Sequence, residues 1–387
     1  MKVAFVIPRY GSVGGAEHAV SALAMRVAKE STWEVDLHTT CARSSTTWAN
    51  EEGSGSTTAG SLKIHRYPVD SGRSAAWGPL EQRIKLGPLS ISRDIQEQFF
   101  YHQGPVSFTL KEAIKESQAD LIFFAPYLFW PTMAAAPEVS DRAVIIPAAH
   151  DEPYLRLSMV KELLESSRGL LFGSAAEQKL LYQHHDLAHL PSTVLGWGTE
   201  APMAKDSTIT ESFGLRERPY VMCLGRIEHA KGTHGLIDFW RNFKQRNPCE
   251  HQLVLVGDPS TEIPNDSDIQ IIRTADDRAK WALLRDADFL INPSAMESFS
   301  LVLFEAWAAG IPVLVNGYCN ATKGHVEDSL GGLWYRNYPE FEVAVQRLMS
   351  DKEFREKCAD NGMRFGEAKY SWQRITARFK DFCKHLV

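Results

Sequence analysis

The sequence predicts an α/β protein made of two open, mostly parallel sheets wrapped by helices. Three observations carry this. Apolar runs of strand length alternate with segments of helical period along the chain. The alternation starts at Val3–Ile7, pauses in a turn-rich polar stretch over Gly198–Pro219, and restarts at Tyr220–Leu224. The chain's 387 residues are also long for a single core, so two domains of ordinary size are expected.

The first element is Val3–Ile7, closed by Pro8 and followed by Gly11, Gly14 and Gly15. Ala16, Ala19, Val20, Leu23, Ala24 and Val27 then share one helical stripe, giving strand, glycine-rich loop, helix. The loop lacks the G-x-G-x-x-G spacing, and no acidic residue closes a clear second strand, which weighs against a nicotinamide cofactor. Gly14 and Gly15 allow close backbone approach, either to a ligand phosphate or to a neighbouring element.

Further strands are expected at Glu34–His38, Lys63–Tyr67, Leu121–Phe124, Ala143–Pro147 and Gly169–Phe172, with Glu51–Ser61 as a flexible loop. Helices are expected near Tyr154–Ser166 and at Ala175–Tyr182, the latter capped by Ser174. His150 follows a strand's C-terminal end, where open α/β sheets place their chemistry; it is either a proton or hydroxyl partner or a loop anchor acting through Asp151. His184, His185, Asp186 and His189 lack further ligands at metal spacing and read as a solvated helix end. The aromatic residues of Trp77–Phe108 and Tyr127–Trp130 are open between core, an acceptor groove and a membrane-facing surface.

In the second half, strands at Tyr220–Leu224, Leu253–Val256 and Ile269–Ile272 lead through a Trp281–Ala287 helix into Ala287–Asn316. That stretch reads as a strand, a loop carrying Glu297, a helix carrying Glu305, a stop at Gly310 and Pro312, and another strand. The helix, starting near Ser298 or Ser300, presents free N–H groups that attract anions. Glu305 is the one charge on an apolar helix, and it costs several kcal/mol unless it meets a hydroxyl or a cation. Arg226 and Lys231, five apart in the loop after Tyr220–Leu224, supply a guanidinium fork and a point charge suited to a diphosphate.

Composition narrows the function. With 44% hydrophobic and 23% charged residues the chain is globular, and a net charge of −6 argues against general nucleic-acid binding. It has no apolar run of 18 residues, and its apolar start is too short for a signal peptide, so a cytoplasmic location is expected. Cys41, Cys223, Cys249, Cys319, Cys358 and Cys383 form no CxxC pair and offer no metal framework.

Together, GGAE at Gly14–Glu17, GRIEHAKG at Gly225–Gly232, LVGD at Leu255–Asp258 and ESFSLVLFE at Glu297–Glu305 resemble a retaining glycosyltransferase of the GT-B fold, family 4. The resemblance implies two Rossmann-like domains facing across a cleft, with residues 1–198 binding the acceptor and 220–368 the nucleotide sugar. Residues 199–219 would be the linker, and residues 369–387 a helix that either crosses back to the first domain or packs on its own. Arg226 and Lys231 match the family's basic pair on the donor diphosphate, and Glu305 the carboxylate on the ribose hydroxyls. Glu297 matches the one near the sugar ring, with the amides of Phe299, Ser300 and Leu301 lining sugar and phosphate. Gly15 matches the loop glycine approaching the donor phosphate, and His150 the histidine beside the transferred sugar. Many members carry Gly or Asn where Ser300 stands.

The implied activity is hexosyl transfer from a nucleotide diphosphate sugar to a hydroxyl of a glycan, lipid-linked or small-molecule acceptor. No nucleic acid partner, cofactor or metal is implied, since the Arg–Lys pair stands in for the metal. Peripheral association with the inner face of the cytoplasmic membrane fits a lipid-linked acceptor. A far-face carboxylate nucleophile is not evident, which favours front-face displacement over double displacement. Two alternatives share the fold: a sugar-nucleotide 2-epimerase and a non-catalytic nucleotide-sugar or glycan-binding protein.

Overall fold

The computed structural model describes residues 1–11, 14–201, 208–215, 218–260, 262–263, 265–273 and 276–387. The chain divides into two compact units, Met1–Gly198 with Ile375–Val387, and Thr199–Arg374. The expected linker at 199–219 lies partly outside the described residues.

The first unit holds Lys2–Val6 (β1), Glu34–Thr40 (β2), Gly55–Ala59 (β3), Leu62–Tyr67 (β4), Leu121–Phe124 (β5), Ala143–Ile145 (β6), Gly169–Phe172 (β7) and Ser192–Val194 (β8). They pair in the order β3-β4-β2-β1-β5-β6-β7-β8. All neighbours are parallel except β3 and β4. The central strands are apolar because helices cover both faces; every residue of β5 and β7 is buried.

Three strands were not expected: Gly55–Ala59, Ser192–Val194 and, in the second unit, Gly332–Tyr335. Gly55–Ala59 falls within the presumed loop 51–61, yet it pairs antiparallel with β4 through a turn at Gly60, where φ is +60°. It is an exposed edge strand, so it carries no apolar alternation to betray it; only Thr57 and Thr58 favour extension. The region 77–108 is core only in part. Ile84, Phe99 and Phe100 are core, whereas Leu86, Leu89 and Phe108 are exposed.

The helix Trp372–Leu386 contributes its residues from Ile375 onward to the first unit. Phe379 packs against Phe5 and Phe123, at centroid distances of 5.8 and 4.9 Å. Thr376 Oγ1 and Lys380 Nζ both donate to Glu30.

The second unit holds Tyr220–Leu224 (β9), Gln252–Val256 (β10), Ile269–Ile272 (β11), Leu290–Asn292 (β12), Val313–Asn316 (β13) and Gly332–Tyr335 (β14). The order is β11-β10-β9-β12-β13-β14, parallel throughout. Strand order reverses between β9 and β12, and at such a switch point the loops leaving the two strands diverge and open a crevice. The loops leaving those strands carry Arg226 and Lys231, and Glu297.

Candidate active site

The site in the second unit is built on the helix Leu301–Ala309. Its N-cap, Ser300, has φ +73°, a left-handed conformation that side-chain-bearing residues avoid. A buried bond helps fix it there: Asn292 Nδ2, at the end of β12, donates to Ser300 Oγ at 2.8 Å. The amide oxygen of Asn292, Oδ1, accepts from Ser294 N at 3.0 Å, so one amide braces both ends of the intervening loop. Beneath the helix start, Phe299 stacks on Phe304 at 4.5 Å.

The facing loop follows β9. Gly225 has φ +131°, and a Cβ on Gly257 would stand 1.9 Å from Gly225 O, so the backbones after β9 and β10 touch where only glycine fits. Gly232 does the same against the loop after β12. Its φ is +74°, and a Cβ there would stand 2.5 Å from Pro293 O. That approach sets Lys231 Nζ 2.8 Å from Glu297 Oε1, in an ion pair exposed by 31% and 15%. Asn316 Nδ2 donates to Pro293 O and anchors the Glu297 loop from β13.

Arg226 lies in the same loop as Lys231. It is largely exposed and pairs with Glu228 at 3.2 Å, two residues along its own loop. Glu305 finds the cation that the sequence demanded: Lys280 Nζ, on the helix Asp277–Asp286, donates to Glu305 Oε1 at 2.8 Å. Burial pulls the Lys280 ammonium down, but the charge and hydrogen bond of Glu305, with Asp277 3.0 Å away, outweigh it and raise its pKa. Lys280 and Asn292 are the two contributors that sequence reasoning missed. The signal for Lys280 was a cation on the same helical face as Leu283 and Leu284; Asn292 gave none, since a buried amide at a strand end looks like any turn residue.

In the first unit, Gly14 is the N-cap of the helix Gly15–Glu30. A Cβ on Gly15 would meet no described atom within 4 Å, so its missing side chain leaves the amide approachable. Glu17 of the same motif is buried and pairs with Arg9 at 2.8 Å. His150 Nδ1 lies 3.9 Å from a carboxylate oxygen of Glu152, while Asp151 pairs with Arg156. Below it lies the fully buried Glu177, whose oxygens accept from Ala149 N and Gly173 N at 2.7 Å each. Burial lifts Glu177 to about 7 against these bonds and the charge of His150. The histidines after Ala175–His184 are not all solvated: His185 is buried, because the chain turns inward behind the helix.

Residues 205–365 match the family described as glycosyl transferases group 1. The chain is 28% identical to the alpha-D-kanosaminyltransferase of Streptomyces kanamyceticus over 322 residues, 80% of this chain and 73% of the relative. It is 24% identical to the D-inositol 3-phosphate glycosyltransferase of Paenarthrobacter aurescens over 399 aligned positions, 96% of this chain and 92% of the relative. The crystal structure of Anabaena HepE in complex with UDP and glucose superposes over the whole of both chains, with a TM-score of 0.71 at 16% identity, a likeness of fold. The matched family segment holds Arg226, Lys231, Glu297 and Glu305, and the whole-chain likenesses extend across both units: residues 205–365 are similar to the group 1 glycosyl transferases, and the chain has the GT-B fold.

Proposed function

We propose that the protein is a retaining glycosyltransferase of family 4 that moves a hexosyl unit from a nucleoside diphosphate sugar to an acceptor hydroxyl. The observation that carries this is the Lys231–Glu297 pair at 2.8 Å, beside the start of the Leu301–Ala309 helix, with Glu305 held by Lys280 on the second turn. A donor diphosphate meets Lys231 and Arg226 there, and the amides of Phe299, Ser300 and Leu301. Glu305, held in place by Lys280, accepts hydrogen bonds from the ribose hydroxyls. Glu297 faces the sugar ring. The UDP and glucose bound by HepE, and the alpha configuration in the kanosaminyltransferase's name, support a nucleotide donor and retention.

In the front-face route the bond from the anomeric carbon to the diphosphate oxygen breaks while the acceptor oxygen bonds to the same face. The acceptor proton passes to the departing phosphate oxygen, and the nucleoside diphosphate leaves. Lys231 and Arg226 stabilise the charge growing on that group, which is the role a metal would otherwise fill. The resemblance to family 4 assigns His150 to the transferred sugar and Gly14 and Gly15 to the phosphate, and the acceptor is a glycan, a lipid-linked sugar or a small molecule.

The test is nucleotide release from a panel of nucleotide sugars and acceptors, with Arg226→Ala and Lys231→Ala as controls. Acceptor-dependent release that falls in both variants supports the reading. Unaltered turnover in both, or epimerised donor without acceptor, overturns it.

A further inference from the structure

Away from these residues, the first unit gathers Asp36, His38 and His65 on one face of its sheet. Asp36 and His38 are two apart on β2 and so point the same way. His65 stands opposite His38 in the parallel register of β4, and the two rings stack at 4.9 Å. One oxygen of Asp36 and one nitrogen of each histidine lie within 4.8 Å of one another.

The surroundings settle which atoms face inward. Ser56 Oγ, on the edge strand β3, bonds His65 Nδ1 at 2.8 Å, so His65 turns its Nε2 to Asp36 Oδ1, 3.5 Å away. Four-coordinate zinc with bonds of 2.0–2.2 Å spaces its ligand atoms by roughly 3.3–3.5 Å. His38 Nδ1 meets Tyr67 Oη at 2.9 Å. Each imidazole therefore has a hydroxyl partner of the sort that orients metal-bound histidines. Lys2 Nζ lies 3.5 Å from Asp36 Oδ2 only. Oδ1 is left buried without a hydrogen bond, in a residue 7% exposed, and such an orphaned oxygen is costly unless something binds it.

We propose that Asp36, His38 and His65 bind one divalent first-row transition ion, with Zn²⁺ as the best fit, which fastens β2 to β4. Two imidazoles and a carboxylate suit that class, and leave a fourth position for water. His65, with its side chain 25% exposed, is the entry path. The ion would act on the fold of the first unit; the transfer chemistry proposed above uses none of these three residues.

The experiment titrates the full chain, stripped with a chelator and with its thiols reduced, with Co²⁺ and then Zn²⁺. The expected result is one equivalent of Co²⁺ with visible absorption bands, displaced by Zn²⁺, and a Zn²⁺-dependent rise in Tm. His65→Gln, at the most exposed ligand, should fold as judged by circular dichroism and lose at least tenfold in affinity, while His189→Gln binds as the parent does. Asp36→Asn is the second variant, read by the same titration. Absence of binding by the folded parent, saturation only at millimolar metal, or unchanged affinity in His65→Gln and Asp36→Asn overturns the proposal.

Discussion

Lys231 Nζ and Glu297 Oε1 form a 2.8 Å ion pair between loops leaving β9 and β12. A diphosphate entering beside this pair competes for the ammonium. Lys231→Ala should therefore remove a donor to the leaving group and leave Glu297 uncompensated. We expect kcat/KM for transfer to fall about 10²- to 10³-fold with little loss of stability, since the pair is partly exposed. Steady-state kinetics with thermal unfolding of the same variant checks both halves.

Lys280 and Glu305 form the second pair, and it is the better shielded of the two. Lys280→Met should cost about 2 kcal/mol and weaken nucleotide binding, because Glu305 is left on its helix without a cation. Lys280 has a folded pKa above its unfolded 10.5. Its contribution is thus complete below pH about 10.5 and is lost as pH climbs through the higher folded value. Urea unfolding of parent and variant should converge only at such alkaline pH.

Ser300 tests the backbone argument. At φ +73° glycine is relaxed and alanine is not. Both Ser300→Gly and Ser300→Ala break the bond from Asn292, but the alanine variant also keeps the strain. Ser300→Ala should be the less stable by about 1 kcal/mol, because the conformation, and not the lost bond from Asn292, sets the order at this helix start. Equal stabilities would refute the left-handed assignment. Both variants should also shift donor preference in a nucleotide-sugar panel.

Glu177 makes stability fall with pH. Its carboxyl holds a proton up to about pH 7 when folded and releases it near 4.5 when unfolded. Between those values the folded state binds the extra proton, so its stabilising effect is present below pH 4.5 and lost by pH 7. The loss is on the order of 3 kcal/mol. Glu177→Gln should remove this slope, seen as the difference in unfolding free energy between parent and variant across pH 4.5 to 7.

Gly232→Ala would place a methyl group 2.5 Å from Pro293 O. The two loops must part, and Lys231 moves away from Glu297. We expect transfer to drop as in Lys231→Ala, now with lost stability as well, since a backbone atom cannot step aside as a side chain does. Kinetics and thermal unfolding of this variant, run beside Lys231→Ala, separate the two effects.

Arg226, Lys231, Glu297 and Glu305 stood out as candidates because they lie within short linear motifs, and the parallel sheets were legible because buried strands are apolar throughout. Lys280 was not legible, since the 25 residues separating it from Glu305 are closed only by packing of one helix against another. Asn292 and Glu177 act on backbone groups, and nothing in a side-chain pattern announces which amide a carboxylate or an amide will meet. The His38–His65 stack depends on the register of β2 with β4, which is set by the whole sheet. The Arg226–Glu228 pair, two residues apart in one loop, was not foreseen either, because Arg226 was read only against Lys231.

Phe379 lies against Phe5 and Phe123, so the last helix seals a core whose other walls are made far earlier in the chain. During synthesis the second unit is therefore complete before the first can close. The β1 and β5 aromatics stay uncovered on one side while the whole of Thr199–Arg374 emerges, and a ribosome pausing in that interval holds a nascent chain with an open apolar face, the kind of surface that chaperones bind.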